Sequence, residues 1–82
     1  MSNILKKVII ECLKQTNTSF ADFATDDEMT EELTQIDIDV ETQKIHVKFQ
    51  NNWIEEGYET VILTPIELIG FMCLKMEEKG II

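Results

Sequence analysis

The side chains with chemistry to offer are carboxylates. Asp22, Asp26, Asp27, Glu28, Glu31, Glu32, Asp37, Asp39 and Glu41 all lie between Lys14 and Lys44, with no basic residue among them. Two carboxylates work as acid and base when their environments hold one protonated and the other charged. Asp37, Asp39 and Glu41 instead alternate with Ile38 and Val40, which places them on the solvent side of a strand, where nothing raises a pKa. No catalytic residue is expected among them. The run Asp37-Ile38-Asp39-Val40-Glu41 starts like a calcium loop, but Thr42 and Lys48 stand where such a loop needs Gly and a bidentate Glu. Clustered carboxylates at residues 22–32 could at most collect a divalent cation weakly. A single histidine, His46, cannot build a structural zinc site. Cys12 and Cys73 each sit inside an apolar helical pattern and read as small buried residues in a reducing compartment. No enzyme, metal or cofactor is expected.

The charge balance says more about partners. The chain of 82 residues has 16 acidic and 7 basic residues, a net charge of −9. Removing the nine clustered acids leaves seven against seven, so the whole net charge lies in one third of the sequence. Such a field repels nucleic acid and anionic lipid and attracts basic surfaces over about 8–10 Å at physiological salt. There is no arginine for bidentate contacts to phosphate or guanine. Direct nucleic-acid binding and membrane association are therefore not expected. Lys6, Lys7 and Glu11 interrupt the N-terminal apolar residues, so no signal peptide or membrane span is expected, and the expected location is the cytoplasm.

The elements that must carry these groups follow from periodicity. The length allows one domain, residues 1–82, and a small core. Ile4, Leu5, Val8, Ile9, Cys12 and Leu13 recur at helical spacing, predicting a helix over 3–15 with Ser2 as N-cap. Residues 16–33 predict an irregular connection with one or two helical turns. Phe20 and Phe23 would anchor it to the core, and Thr25 and Glu28 would form a capping box that puts Met29 and Leu33 on one face. Ile36, Ile38 and Val40, then Ile45, Val47 and Phe49, alternate with polar residues around Thr42-Gln43 and predict a β-hairpin. Pairing Val40 with Ile45 would set Glu41 opposite Lys44, Asp39 opposite His46 and Asp37 opposite Lys48, which partly neutralises that face. The second strand would run on through Trp53 and Ile54 to a Glu55-Glu56-Gly57 loop with Gly57 left-handed. Trp53 there is either an interface anchor or a ring packed under the sheet edge. A third strand covers Tyr58 to Leu63. Thr64-Pro65-Ile66-Glu67 then starts a helix reaching about Lys79, with Gly80 as its stop. The expected fold class is α+β: helix, acidic connection, three-stranded antiparallel meander, helix, with both helices on one face of the sheet.

The last helix is apolar around much of its circumference. Ile66, Ile69, Cys73 and Met76 share one side, and Leu68, Phe71, Met72 and Leu74 spread over the rest. A sheet this small covers one side only, so a homodimer interface using Leu68, Phe71, Met72 and Leu74 is expected.

In size, acidity and helix–meander–helix order, the chain resembles small phage-encoded inhibitors that imitate DNA. That group includes small anti-CRISPR proteins and the acidic Bacillus-phage inhibitor of the nucleoid protein HU. The resemblance covers the whole chain in outline and rests on no motif. It implies a non-enzymatic protein in the host cytoplasm whose carboxylates stand in for phosphates on a basic DNA-binding host protein. The expected contact residues are Asp22, Asp26, Asp27, Glu28, Glu31 and Glu32, followed by Asp37, Asp39 and Glu41. Two other readings stand beside it: an accessory module docked through its apolar last helix, and an antitoxin or immunity protein covering a basic nuclease.

Overall fold

Seven elements occur in the computed structural model, which describes residues 3–80 without the side chain of Asn3. They are α1 (Asn3–Thr16), α2 (Thr18–Phe23), α3 (Asp27–Leu33), β1 (Gln35–Asp39), β2 (Lys44–Gln50), β3 (Tyr58–Leu63) and α4 (Pro65–Glu78). The three strands form an antiparallel sheet in the order β1-β2-β3, so the class is α+β. The Ser2 cap expected for α1 lies outside the described residues. Ile45, Val47 and Phe49 line the buried face of β2. They form one core with Ile9, Cys12 and Leu13 of α1, Phe20 of α2, Leu63 of β3 and Leu68 of α4. Both long helices therefore serve the same face of the sheet.

The first hairpin has a different register from the one expected. Ile38, not Val40, pairs with Ile45, and the partners of Lys44, His46 and Lys48 are Asp39, Asp37 and Gln35. A shift of two residues keeps each side chain on its face. Turn chemistry explains it. A two-residue loop at Thr42-Gln43, whether type I′ or II′, would require positive φ at Thr42, and a β-branched threonine resists that. The chain instead closes over residues 40–43 with only Gln43 left-handed, at φ 57°. The Asp39 carboxylate accepts from the amides of Glu41 (3.0 Å) and Thr42 (3.3 Å). Val40 leaves the sheet and stands 82% exposed.

The Thr42 side-chain hydroxyl first, then the Thr42 and Glu41 amides, hold the Asp39 carboxyl below the usual carboxylate range. A carboxyl that is more acidic folded than unfolded stabilises fully above its unfolded value, near pH 4, and loses that contribution as pH falls through the folded value. Asp39→Ala should therefore lower stability at neutral pH but flatten the acid limb, as read from urea denaturation at a series of pH values.

The connection forms two short helices. Asn17 caps α2, its Oδ1 accepting from the Phe20 amide at 2.9 Å. Phe20 is fully buried, and Phe20, Phe23 and Phe49 form an aromatic trio with centroids 5.0–5.6 Å apart. The cap of α3 is Asp26 rather than Thr25, accepting from the Met29 amide at 3.1 Å; aspartate is at least as good a cap as threonine. Thr30 and Thr34 take the buried positions, while Met29 and Leu33 are exposed. The threonine hydroxyls donate to the Asp26 and Thr30 carbonyls one turn earlier, which makes their burial affordable.

The start of α4 matches its signal. Thr64 Oγ1 accepts from the Glu67 amide at 3.3 Å and donates to the Glu67 carboxylate at 2.8 Å. Gly57 (φ 80°) and Gly80 (φ 74°) are left-handed as their turns require. Cys12 is buried, but Cys73 is exposed, contrary to expectation, because α4 turns Leu68 and not Cys73 inward. Burial pushes the Cys12 thiol above its usual value; a Thr16 hydrogen bond opposes this and the Glu67 charge adds to it. In dilute native protein a thiol reagent should titrate Cys73 alone, with Cys12 reacting only on unfolding.

Candidate protein-interaction surface

The acidic segment splits around α3. Asp27, Glu28 and Glu31 line a cavity of about 420 Å³ beside α1, shared with Lys7, Glu11 and Lys14. Asp27 pairs with Lys14 at 3.4 Å, a contact so exposed that it contributes at most about 1 kcal/mol. Asp22 and Asp26 face the other way, into a second cavity. Glu32 is exposed to solvent. Asp37 and Asp39 lie on the outer sheet face and Glu41 in the hairpin turn. None of these last three makes an ion pair among the described residues, where the pairs are Lys14–Asp27 and Lys75–Glu78. The cross-strand neighbours differ from those expected, with Asp39 opposite Lys44, Asp37 opposite His46 and Glu41 outside the sheet, and neutralisation there comes from proximity without direct ion pairs among the described residues. Lys48 lies instead over the Tyr58 ring, 3.8 Å from its centroid.

The second cavity, about 360 Å³, opens between α2, α3 and the β2–β3 loop. Strand β2 ends at Gln50, earlier than expected, because Asn51 folds the chain into a longer loop. Its Oδ1 accepts from the Trp53 amide at 3.0 Å, its Nδ2 donates to Glu59 at 2.9 Å, and its backbone amide reaches the Gly57 carbonyl. The loop presents Trp53 at the cavity, 94% exposed. Packing under the sheet edge is thereby overturned. Met29, Leu33 and half-buried Phe23 supply the other apolar walls. The turn-forming Gln50-Asn51-Asn52 run was the signal for this loop, outweighed at the sequence level by the apparent continuation of the strand.

A third surface is the outer side of α4. Leu68 is buried in its own core and Phe71 packs against it, so of the four expected interface residues only Met72 and Leu74 face outward. Leu63, the last inward residue of β3, and the Thr64 cap fix the phase of the helix, which brings Leu68 inward one turn later. Ile66 (81% exposed), Ile69 (59%), Leu74 (60%), Met72, Met76 and Cys73 form the outward face. Between α1 and α4 runs a groove of about 620 Å³, floored by Val8, Phe71, Met72 and Met76 and edged by Lys7, Lys75 and Lys79.

Among the described residues, no group of three or more His, Cys, Asp or Glu is placed to hold a metal ion. No helix among them is long and apolar enough to cross a membrane. Comparison with known protein families, curated proteins and solved structures finds no match.

Proposed function

We propose that the chain is a non-enzymatic binding protein that imitates DNA and occupies the DNA-binding surface of a basic protein of the nucleoid type. The observation that carries this reading is the exposure of the acidic segment. Asp22, Asp26, Asp27, Glu28 and Glu32 are all solvent-facing, and among the described residues their one ion pair is Lys14–Asp27. Alternate residues of a strand repeat every ~6.6–6.8 Å on one face, twice the ~3.4 Å charge spacing along a DNA strand. Asp37 and Asp39 on the outer face of β1 take that spacing, and the acids of α2 and α3, divided between the two sides of α3, widen the negative field around them. The partner would be steered by that field and lose affinity as salt screens it.

The reading includes a homodimer through the outer face of α4. Lys6, Lys7 and Lys14 of α1, Lys75 of α4 and Lys79 at its C-cap roughly balance Glu11, Glu67, Glu77 and Glu78, so two copies meeting at α4 repel less than two acidic segments would. The same apolar face supports the second reading, docking onto a larger assembly.

The test is competition. An HU-type nucleoid protein is bound to labelled duplex DNA, and the purified chain is added across a salt series. The expected result is release of DNA, with no shift of DNA by the chain alone and less release at high salt. Retention of DNA on the nucleoid protein at every salt concentration sinks the mimicry reading for this class of target.

A further inference from the structure

We infer that the Trp53 cavity is a receptor for an arginine side chain projecting from the basic partner. This rests on the proposed function and names the chemistry of one contact within it. The cavity combines apolar walls from Phe23, Met29, Leu33 and Trp53 with two carboxylates, Asp22 and Asp26, and its remaining described lining is neutral and polar, with no cationic side chain. Its volume, about 360 Å³, is at the low end for a ligand pocket, which suits one long side chain better than a small molecule.

The charge selects a cation and the walls select which cation. Asp26 commits Oδ1 to the Met29 amide, while Asp22 has no hydrogen bond or ion pair among the described residues. Both carboxylates retain acceptor capacity toward the cavity. Trp53 offers the best aromatic face for a cation. A guanidinium is planar and weakly hydrated, stacks on an indole and still donates to carboxylates from its edge. An ammonium is compact and strongly hydrated, and gives up more water on entering apolar walls. The methylene stem of arginine would lie on Met29 and Leu33. Nucleic acid is excluded as occupant, since phosphates would meet Asp22 and Asp26.

The loop is built to hold this geometry. Trp53 is exposed, but the loop carrying it is closed on itself: Asn51 accepts from the Trp53 amide, and Gly57 donates to the Ile54 carbonyl at 3.1 Å. An aromatic anchor on a fixed backbone binds with less ordering cost than one on a loose tail.

Trp53 is the sole tryptophan, so its fluorescence reports on this cavity alone. The intact chain is titrated at low salt with two peptides of equal length and charge, one carrying arginines and the other lysines in the same positions. The expected result is a blue shift of Trp53 emission with the arginine peptide, and binding at least fivefold tighter than that of the lysine peptide. Trp53→Ala, which has no tryptophan and is followed by the fluorescence anisotropy of a labelled peptide, and separately Asp22→Asn with Asp26→Asn, should weaken the arginine peptide about tenfold. Asparagine keeps the α3 cap, so the second variant removes charge without removing the helix start. Equal binding of both peptides, or unchanged anisotropy-detected binding by Trp53→Ala together with unmoved Trp53 emission in the unaltered chain, overturns the cavity inference. Salt-sensitive binding in those cases leaves the wider acidic reading standing. If neither peptide binds, the cavity inference falls, and the DNA-release assay decides the wider reading independently.

Discussion

Replacing Asp22, Glu28 and Glu32 together with lysine is expected to abolish release of DNA from an HU-type protein while leaving the chain folded. All three side chains are exposed and none serves as a cap. Asp26 is kept because it caps α3, and Asp27 because it meets Lys14. An exposed ion pair contributes ~0.2–1 kcal/mol, and each reversal turns an attraction into a repulsion of similar size. Three reversals therefore total about 3 kcal/mol, roughly a hundredfold in Kd. The competing concentration in the gel shift should rise by that factor at low salt and by less at high salt. Unchanged competition would mean that this stretch is only a solvated surface. Loss of competition on neutralising Glu55, Glu56 and Glu59 instead would move the contact to the second hairpin.

The second large effect concerns assembly. Sedimentation equilibrium at micromolar concentration should give twice the 9.5 kDa chain mass, and the thermal midpoint should rise with protein concentration. Ile69→Lys with Leu74→Lys should return the protein to a monomer. Both residues are more than half exposed in the single chain, so in a monomer the changes would cost within about 0.5 kcal/mol each. A 9.5 kDa species in the unaltered protein, with the same midpoint at every concentration, removes the dimer from the reading.

What the sequence disclosed followed how local each signal was. The Thr64-Pro65-Glu67 start of α4, the alternation of β2 and the left-handed Gly57 are decided by neighbouring residues, and each stands as read. Phe20 and Phe23 as anchors also hold, since two aromatic residues in an acidic stretch have few other uses. The hairpin register failed because apolar alternation is unchanged by a two-residue shift; the choice fell to threonine's resistance to positive φ, a turn property. The inward face of α3 failed because hydropathy ranks Met29 and Leu33 above Thr30 and Thr34. Burying threonine becomes inexpensive only when its hydroxyl finds a carbonyl one turn back, and periodicity does not display that bond. The exposure of Trp53 depends on Asn51 closing its loop, and the outward face of α4 on the phase in which the helix leaves β3. Neither can be weighed without the tertiary structure. Among the candidate contacts, the positions of the acids along the chain were legible, but their division between the two sides of α3 was not.

The meander also sets a sequence of events in time. Both strand pairings join elements adjacent in the chain, so each forms by closing a short loop, at a small entropic cost. Strand β2 is hydrogen-bonded on both sides and carries Ile45, Val47 and Phe49 into the core. It is the natural nucleus, and its amides should be the last to exchange with deuterium. Helix α4 holds to that core through buried Leu68 and half-buried Phe71, fewer side chains than α1 commits. It is the element that docks last and opens first, and exchange along its backbone should run ahead of global unfolding. The helix that offers the largest apolar face to other molecules is thus also the one the chain can most readily release.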